Sequence, residues 1–191
     1  CCGLPALESG YDAEARKLAR RNFEIFKEEE ITSIITNSPC CYKMFSIDYP
    51  KILPDWNIES RNIWRMILSK LMEKPGLIRY NANEFEIAAY QDSCYLGRYC
   101  EIYNEPREIL KLLGYSLKEI PDSGSEAICC GSCGGLPITN PRLADSIAKE
   151  RIMQAKRIGI NRIIVASLND YELLKKNSED TDVKISELGE I

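Results

Sequence analysis

Apolar residues recur at helical spacing in two segments, and each segment is followed by a β-branched run. The apolar positions of the two predicted helices are Ala15, Leu18, Ala19, Phe23 and Phe26, and Leu143, Ala144, Ile147, Ala148, Ile152 and Ala155. The β-branched runs at 31–36 and 160–165 are typical of strands buried in a sheet. A helix that leads into a buried strand, found twice, predicts an α/β fold with mainly parallel sheets.

Between these segments the pattern predicts two more helices and another strand. One helix is expected from a cap at Asn57 to a stop near Pro75, and another from Glu105 to Gly114. The strand is expected over residues 85–90. Because parallel sheets bind ligands beyond the carboxyl ends of their strands, the loops after the strands are the first place to look for chemistry.

An internal repeat organises the chain. Residues 1–3 and 129–131 both read Cys-Cys-Gly, and each opens a loop that contains glycine and proline. From Ala15 onward the second copy follows the first at a constant offset, and each predicted strand runs into a polar turn that ends in tyrosine, at Tyr42 and Tyr171. Asn140 before a proline predicts the capped start of the second helix.

The repeat predicts two pseudo-repeated Rossmann-like lobes with cysteine loops at the strand carboxyl ends. We expect a first module over residues 1–84 and a second over residues 85–191. The first module is expected to be truncated at its amino end, because the sequence begins at the motif and without a methionine.

Composition narrows the chemistry. Hydrophobic residues make up 45% and charged residues 28% of the chain, and the net charge is −4 with acids and bases interspersed. This balance predicts no nucleic-acid partner, and no apolar run reaches the length of a transmembrane segment. Nine cysteines and no histidine exclude a histidine base and point to thiolate ligands for zinc or an iron–sulfur cluster. Structural disulfides are disfavoured in a chain of this size with no visible secretion signal.

The fullest cysteine group comprises Cys94, Cys129, Cys130 and Cys133. The last two form a CxxC, which lets two thiolates reach one metal, and the glycines around them allow the backbone to approach a cluster. Buried structural cysteines or a reactive dithiol are the alternatives.

The second group comprises Cys1, Cys2, Cys40 and Cys41. Its two adjacent pairs occupy the matching loops of the first copy, and a counterpart of Cys94 would precede residue 1. Buried structural cysteines are the alternative for this group, whose site is expected to be incomplete.

Three residues stand outside these groups. Cys100 is expected to be a core or surface thiol rather than a ligand. Arg98 and Arg107 are candidates for stabilising a reduced cluster or binding an anion, and an exposed or ion-paired arginine is the alternative for each.

The sequence resembles the cysteine-rich CCG domain found in the B and D subunits of heterodisulfide reductase. This domain also occurs in the iron–sulfur subunits of glycolate oxidase, anaerobic glycerol-3-phosphate dehydrogenase and lactate-utilisation enzymes. The resemblance rests on residues 91–98 (QDSCYLGR), on the Pro-Arg pair at 106–107 and on the motif at 129–131. It covers essentially the whole chain. It implies ligand roles for two sets of cysteines: Cys94, Cys129 and Cys130, and Cys1, Cys2 and Cys41.

The chain departs from the family where each module usually ends in Cys-Pro-x-Cys. The first module reads Ser-Pro-Cys-Cys at residues 38–41, and the second reads Ser-Leu-Asn-Asp at 167–170, which has lost both cysteines. Either Cys133 or Asp170 is then a candidate replacement ligand. The histidines of the family's middle signature are absent as well.

The resemblance implies an iron–sulfur electron-transfer subunit of a heterodisulfide reductase-like oxidoreductase complex. Its expected cofactor is a [4Fe–4S] or non-cubane cluster, with zinc as the alternative. Its expected partners are ferredoxin-like and flavoprotein subunits, with a disulfide or quinone as acceptor. We expect a cytoplasmic location, with access to the membrane through partner subunits. A zinc-stabilised or metal-free module for complex assembly is one alternative function, and a dithiol protein using Cys130 and Cys133 is another.

Overall fold

A computed structural model describes residues 1–74, 76 and 86–191, and it confirms the predicted fold class. Helices alternate with strands, and every strand pair found among these residues is parallel. The chain forms two compact units, Cys1–Ile63 and Trp64–Ile191. The division of the chain into modules at residue 84 stays a prediction, since residue 84 lies outside the described residues.

The first unit, unit 1, contains two parallel strands and several short helices. In chain order its elements are α1 (Leu4–Glu8), α2 (Asp12–Glu28), β1 (Ser33–Thr36), α3 (Pro39–Lys43), a π-helical turn (Met44–Asp48), α4 (Tyr49–Ile52) and β2 (Glu59–Asn62). β1 pairs with β2, with Ser33 opposite Glu59 and Thr36 opposite Asn62.

Aromatic side chains form much of the core of unit 1. Phe45 stacks on Trp56 with ring centroids 6.1 Å apart, and Tyr49 meets Trp56 edge-on at 4.8 Å. Phe23, from the apolar face of α2, packs on the same tryptophan at 5.3 Å. These contacts hold α2 against the segment that follows α3, because aromatic pairs bury a large apolar area in one place.

The second unit, unit 2, is a four-stranded parallel sheet with helices between its strands. Its elements are α5 (Ile63–Glu73), β3 (Glu86–Gln91), α6 (Asn104–Leu112), β4 (Tyr115–Leu117), α7 (Leu136–Thr139), α8 (Pro141–Arg157), β5 (Arg162–Val165), α9 (Leu168–Ser178) and β6 (Lys184–Glu187), with 3-10 turns at Gly124–Glu126 and Leu188–Glu190. α5 begins at the last residue of unit 1. The strand order is β4-β3-β5-β6.

This strand order creates a switch point between β3 and β5. The chain leaves β3 to form β4 on one side, then returns to form β5 and β6 on the other. Connections therefore diverge from the carboxyl ends of β3 and β5, which opens a crevice there. On the sheet, alanines of α8 such as Ala144 and Ala148 are fully buried and allow the helix to approach closely.

Several predicted elements are confirmed. The two amphipathic helices are α2 and α8, and the Asn140 side chain accepts a hydrogen bond from the Leu143 N–H at 3.2 Å, as a cap does. The predicted strand at 85–90 is β3, from Glu86 to Gln91; residue 85 lies outside the described residues.

Other predicted elements are wrong. Asn57 caps no helix, because Glu59–Asn62 pairs with β1 as a strand and α5 begins only at Ile63. The polar turns predicted before Tyr42 and Tyr171 are instead the first turns of α3 and α9. In both places the helix begins directly after a serine N-cap residue, a start signal that we missed.

Candidate metal centre

Two segments meet at the crevice of unit 2. Cys94 lies in a turn three residues beyond the end of β3, where the Gly97 N–H donates to the Ser93 carbonyl at 2.8 Å. Cys129, Cys130 and Cys133 lie in the irregular loop that leads into α7. Parallel pairing places the end of β3 beside β5, and the Gln91 side chain at that end donates to the Ile128 carbonyl of the loop.

Gly131 lets the cysteine loop lie against α8. Its φ of +98° belongs to the left-handed region, and a Cβ atom there would lie 2.8 Å from the carbonyl oxygen of Ala144. Glycine alone tolerates both conditions. Its N–H points back at the Cys129 Sγ at 3.3 Å, which is the kind of donor that stabilises a thiolate or a cluster sulfur.

Three thiols converge at this place. The sulfur atoms of Cys94, Cys129 and Cys133 all lie within 4.8 Å of one another, and these side chains are partly buried. Within the described ranges 1–74, 76 and 86–191, this is the one set of three or more cysteine, aspartate or glutamate donors that is so close. We call it the thiol triad.

Hydrogen bonds among the four cysteine thiols of unit 2 shift their pKa values. Thiols of Cys130, Cys133 and Cys94 surround Cys129 and hold the pKa of Cys129 far below its usual range. Donating to Cys129 raises the pKa of Cys94 to about 12, and the pKa of Cys133 is raised for the same reason. The four thiols therefore form one hydrogen-bonded group in which Cys129 has the lowered pKa and its neighbours have raised ones.

Cys130 and Asp170 form a second part of the site. Cys130 is only 2% exposed, and its Sγ donates to the Asp170 Oδ1 at 3.5 Å. Asp170, in the first turn of α9, is 1% exposed and also accepts from the Ser132 hydroxyl. Burial raises the pKa of Asp170 to about 6, and its charge in turn raises the pKa values of Cys94 and Cys133.

A buried polar network supports the loop, and sequence reasoning missed most of it. Arg151 of α8 is 2% exposed and donates to the Gln91 Oε1 atom. Gln91 in turn donates to the Ile128 carbonyl at 3.2 Å, directly before Cys129. The only signal in the sequence was a charged residue within the apolar stripe of α8, at a spacing that faces the sheet.

The two arginines that we considered for stabilising a reduced cluster or binding an anion both bind other groups of the protein. Arg98 donates to the Ala127 carbonyl at 2.8 Å and so fixes the approach to the cysteine loop. Arg107 forms a bidentate ion pair with Asp92, at 2.7 and 2.8 Å, and a second one with Glu119. The ion-paired alternative is therefore correct for Arg107.

Unit 1 brings two of its predicted ligands together. The Cys2 thiol hydrogen-bonds to Cys41, which lowers the pKa of Cys41 to about 6 against the effect of burial. The Tyr49 hydroxyl holds the Cys2 carbonyl at 3.0 Å. Cys1 is exposed and Cys40 is partly buried beside this pair.

The thiol triad fits a metal. A tetrahedral ion with metal–sulfur bonds of about 2.3 Å places its sulfurs about 3.8 Å apart, so donors within 4.8 Å need only a small inward shift. Thiolates also suit iron–sulfur clusters, for which the sulfurs would move apart. Cys130 lies beside Cys129 but outside the triad, and the ligand roles of all eight predicted cysteines stay predictions.

Comparison with known proteins identifies relatives. The model of the CCG cysteine-rich domain matches residues 1–46 and 88–169, which together make up more than half of the chain. A probable iron-sulfur-binding oxidoreductase of Bacillus subtilis is 32% identical over 80% of the chain and 21% of its own length. The D subunit of a dihydromethanophenazine:CoB–CoM heterodisulfide reductase from Methanosarcina barkeri is 27% identical over 81% of the chain and 39% of its own length. An EtfAB:quinone oxidoreductase of Syntrophomonas wolfei is 30% identical over 71% of the chain and 18% of its own length.

The chain spans well under half the length of these curated relatives. All three are oxidoreductases or subunits of one. In the part of the chain that the structure describes, no helix has the length and apolar character that crossing a membrane requires.

Proposed function

The chain belongs to the cysteine-rich CCG domain family, and on that premise we propose that it is an electron-transfer module of an iron–sulfur oxidoreductase complex. The observation that carries this proposal is the thiol triad, three cysteine sulfurs within 4.8 Å at the switch point of a parallel sheet. A chain without histidine has thiolates as its main soft ligands, and thiolates are the ligands of iron–sulfur clusters.

Within this function the residues of unit 2 have separate tasks. Cys94, Cys129 and Cys133 would hold the cluster, which supplies one-electron redox chemistry when bound. Cys130 is the further candidate thiolate beside Cys129. The Gly131 N–H donates to the Cys129 sulfur, and such bonds raise a cluster's reduction potential by stabilising negative charge. The network of Arg151 and Gln91 keeps the cysteine loop in position.

In unit 1 we propose that Cys1, Cys2, Cys40 and Cys41 form a second metal site. The support is the contact between Cys2 and Cys41 and the pairing of each with a neighbouring cysteine. We also propose modules over residues 1–84 and 85–191, each carrying one of these sites.

More specifically, the proposed activity is of the heterodisulfide reductase type. Similarity to a component of one such enzyme supports a disulfide as the terminal acceptor, and similarity to a quinone oxidoreductase supports a quinone. Ferredoxin-like and flavoprotein subunits would deliver the electrons. The chain would act in the cytoplasm and reach the membrane through those partners.

One observation favours zinc as the second candidate. The three triad sulfurs need not move apart to bind a single tetrahedral ion. Binding of one such ion is what a zinc-stabilised module for complex assembly requires. The dithiol alternative receives less support, because Cys130 is almost fully buried and burial together with its neighbours raises the pKa of its thiol.

Metal analysis of the anaerobically purified protein tests the proposal. We expect iron with matching sulfide and a broad visible absorption band. Cys129→Ser should remove the iron of unit 2, because Cys129 is in contact with each of the other three thiols. Cys100→Ser, at a cysteine outside the two groups, should leave the spectrum unchanged.

Zinc as the only metal would favour the assembly module. Absence of both metals, with every thiol open to alkylation, would refute both metal-binding functions.

A further inference from the structure

The internal repeat places Arg151 of unit 2 where unit 1 has Asn22. α8 begins 129 residues after α2 (141 and 12), and β5 begins 129 after β1 (162 and 33). Residues 151 and 22 have the same separation, so each is the eleventh residue of the long helix that follows its Cys-Cys-Gly motif. The two side chains therefore occupy equivalent places relative to the two motifs.

Both side chains hold the backbone at the start of a motif, but by different means. In unit 1 the Asn22 amide donates directly to the Cys1 carbonyl at 2.9 Å. In unit 2 Arg151 donates to Gln91, and the Gln91 amide donates to the Ile128 carbonyl at 3.2 Å, directly before the motif. A neutral amide is thus sufficient to hold such a segment, so positioning alone does not explain a charged side chain in unit 2.

The guanidinium of Arg151 is buried and donates only to neutral oxygens. The residue is 2% exposed. Its acceptors are the side-chain amides of Gln91 and Gln154, the carbonyls of Pro121 and Asp122, and the Ser123 hydroxyl. Among the described residues, no carboxylate forms an ion pair with it. Because a buried cation without an anion is strongly unfavourable, the fold holds a positive charge here that its own contacts do not neutralise.

The carboxylates near Arg151 are bound by another cation or open to water. Burial lowers the pKa of Arg151, and negative charge on its neighbours acts in the opposite direction. These neighbours are Asp92, Asp122, Cys130 and Glu119. Arg107 binds both Asp92 and Glu119, and Asp122 is exposed. Cys130 belongs to the cysteine loop, where a metal or cluster held by thiolates would add negative charge.

We propose that Arg151 is the buried counter-ion of the metal centre in unit 2 and that its positive charge raises the reduction potential of that centre. This inference rests on the proposed function and goes beyond it by naming a residue that tunes the centre. Thiolates and sulfide give an iron–sulfur cluster a net negative charge, and reduction adds an electron to it. A fixed cation in a poorly solvated interior therefore favours the reduced form. Unit 1, with the neutral Asn22 at this place, lacks the contribution.

A redox titration of the anaerobically purified protein, followed by electron paramagnetic resonance, tests this role. The signal of unit 2 is the one that Cys129→Ser removes. Arg151→Gln removes the charge but keeps an amide that can donate. At a fixed potential, the ratio of reduced to oxidised cluster should fall about tenfold in this variant. For a one-electron couple this is a shift of about 59 mV to lower potential. Arg151→Lys keeps the charge and should keep a potential close to that of the wild type, although lysine cannot make all the hydrogen bonds of the guanidinium.

Gln154→Glu changes the charge at the same place without removing Arg151. Gln154 accepts from the guanidinium at 2.9 Å, so a carboxylate of the same shape would pair with Arg151 and should also lower the potential. This variant decides alone if Arg151→Gln does not fold or holds no cluster. The matched control is Arg157→Gln, an exposed arginine of α8 that pairs with Glu150, and it should leave the potential unchanged.

Unchanged potentials in Arg151→Gln and Gln154→Glu would show that Arg151 only supports the loop, and the proposed function would stand. Equal shifts in Arg151→Lys and Arg151→Gln would also overturn the inference, because they would assign the effect to hydrogen-bond geometry rather than to charge. A wild-type protein that holds no redox-active iron would instead refute the proposed function, and the role of Arg151 with it.

Discussion

The two units place the same backbone around different donor atoms. Both bring the second cysteine of a Cys-Cys-Gly motif against the third residue of the helix that follows β1 or β5. In unit 1 that residue is Cys41, and in unit 2 it is Asp170. Unit 2 adds Cys94 and Cys133, and these form the close triad with Cys129. The two units thus share the helix-loop frame and differ in the side chains around the motif.

The glycines of the two motifs are constrained by packing against a helix. Gly3 and Gly131 both have positive φ, +92° and +98°, and both face a carbonyl of the following long helix, that of Ala15 or Ala144. The helix that follows each loop therefore fixes the backbone conformation at its motif glycine.

The units also differ in the ion pair that each buries, and here we expect the largest effect on stability. Arg107 binds Asp92 with two hydrogen bonds, and the Gly124 N–H also donates to Asp92 at 2.8 Å. Lys43 in unit 1 donates to Asp48 at 2.8 Å. Arg107→Met should lower the free energy of unfolding by about 3–5 kcal/mol, because it leaves a carboxylate that is 2% exposed without its cation.

Urea unfolding of the two methionine variants measures this difference. Lys43→Met is the matched control and should lower the free energy less, since the side chains of Lys43 and Asp48 are each about 10% exposed to water. Equal losses would contradict the ranking of the two pairs. A loss below about 1 kcal/mol for Arg107→Met would contradict the expected cost of leaving the Asp92 carboxylate buried without its cation.

The motif glycines give the next largest effect. Gly131→Ala should cost about 1–3 kcal/mol, since alanine disfavours a positive φ and its Cβ would lie 2.8 Å from the Ala144 carbonyl. Gly3→Ala should cost less, because the corresponding distance to the Ala15 carbonyl is 3.5 Å, an ordinary contact. Thermal unfolding of both variants decides the order. If Gly3→Ala is the more destabilising, the tight approach to α8 is not what makes glycine necessary.

Much of this comparison could be predicted from the sequence because it rests on local pattern. The periodicity of α2 and α8, the cap at Asn140 and the family itself are confirmed. Long amphipathic helices can be recognised from the spacing of their apolar residues alone, and the repeat shows that spacing twice.

The parts that could not be predicted depend on contacts across the fold. Glu59–Asn62 is polar and has no strand pattern, and only its pairing with β1 makes it a strand. The convergence of the triad needs the positions of β3 and of the loop near α7 together. The burial of Asp170 against Cys130 and Ser132 depends on how α9 meets the cysteine loop, which no spacing of residues encodes.

The smallest effect that we predict concerns Glu119, the more exposed of the two carboxylates that bind Arg107. It extends the comparison of ion pairs from a buried pair to an exposed one. Arg107 lowers the pKa of Glu119 below its usual value of 4.5. A carboxyl whose pKa is lower in the folded state stabilises the fold above its unfolded pKa and loses that contribution as pH falls through the folded pKa. Because its side chain is 50% exposed, we expect only about 0–1 kcal/mol from the pair.

Glu119→Gln should therefore be slightly less stable than the wild type at pH 7, and the difference should vanish once the pH is well below 4.5. Urea midpoints of both proteins across this range measure it, with the exposed Glu126→Gln as the control that should show no such difference. A gap that persists at low pH would mean that Glu119 acts through hydrogen bonding in its protonated form. The contact between Arg107 and Glu119 would then depend on hydrogen-bond geometry rather than on the charge of Glu119.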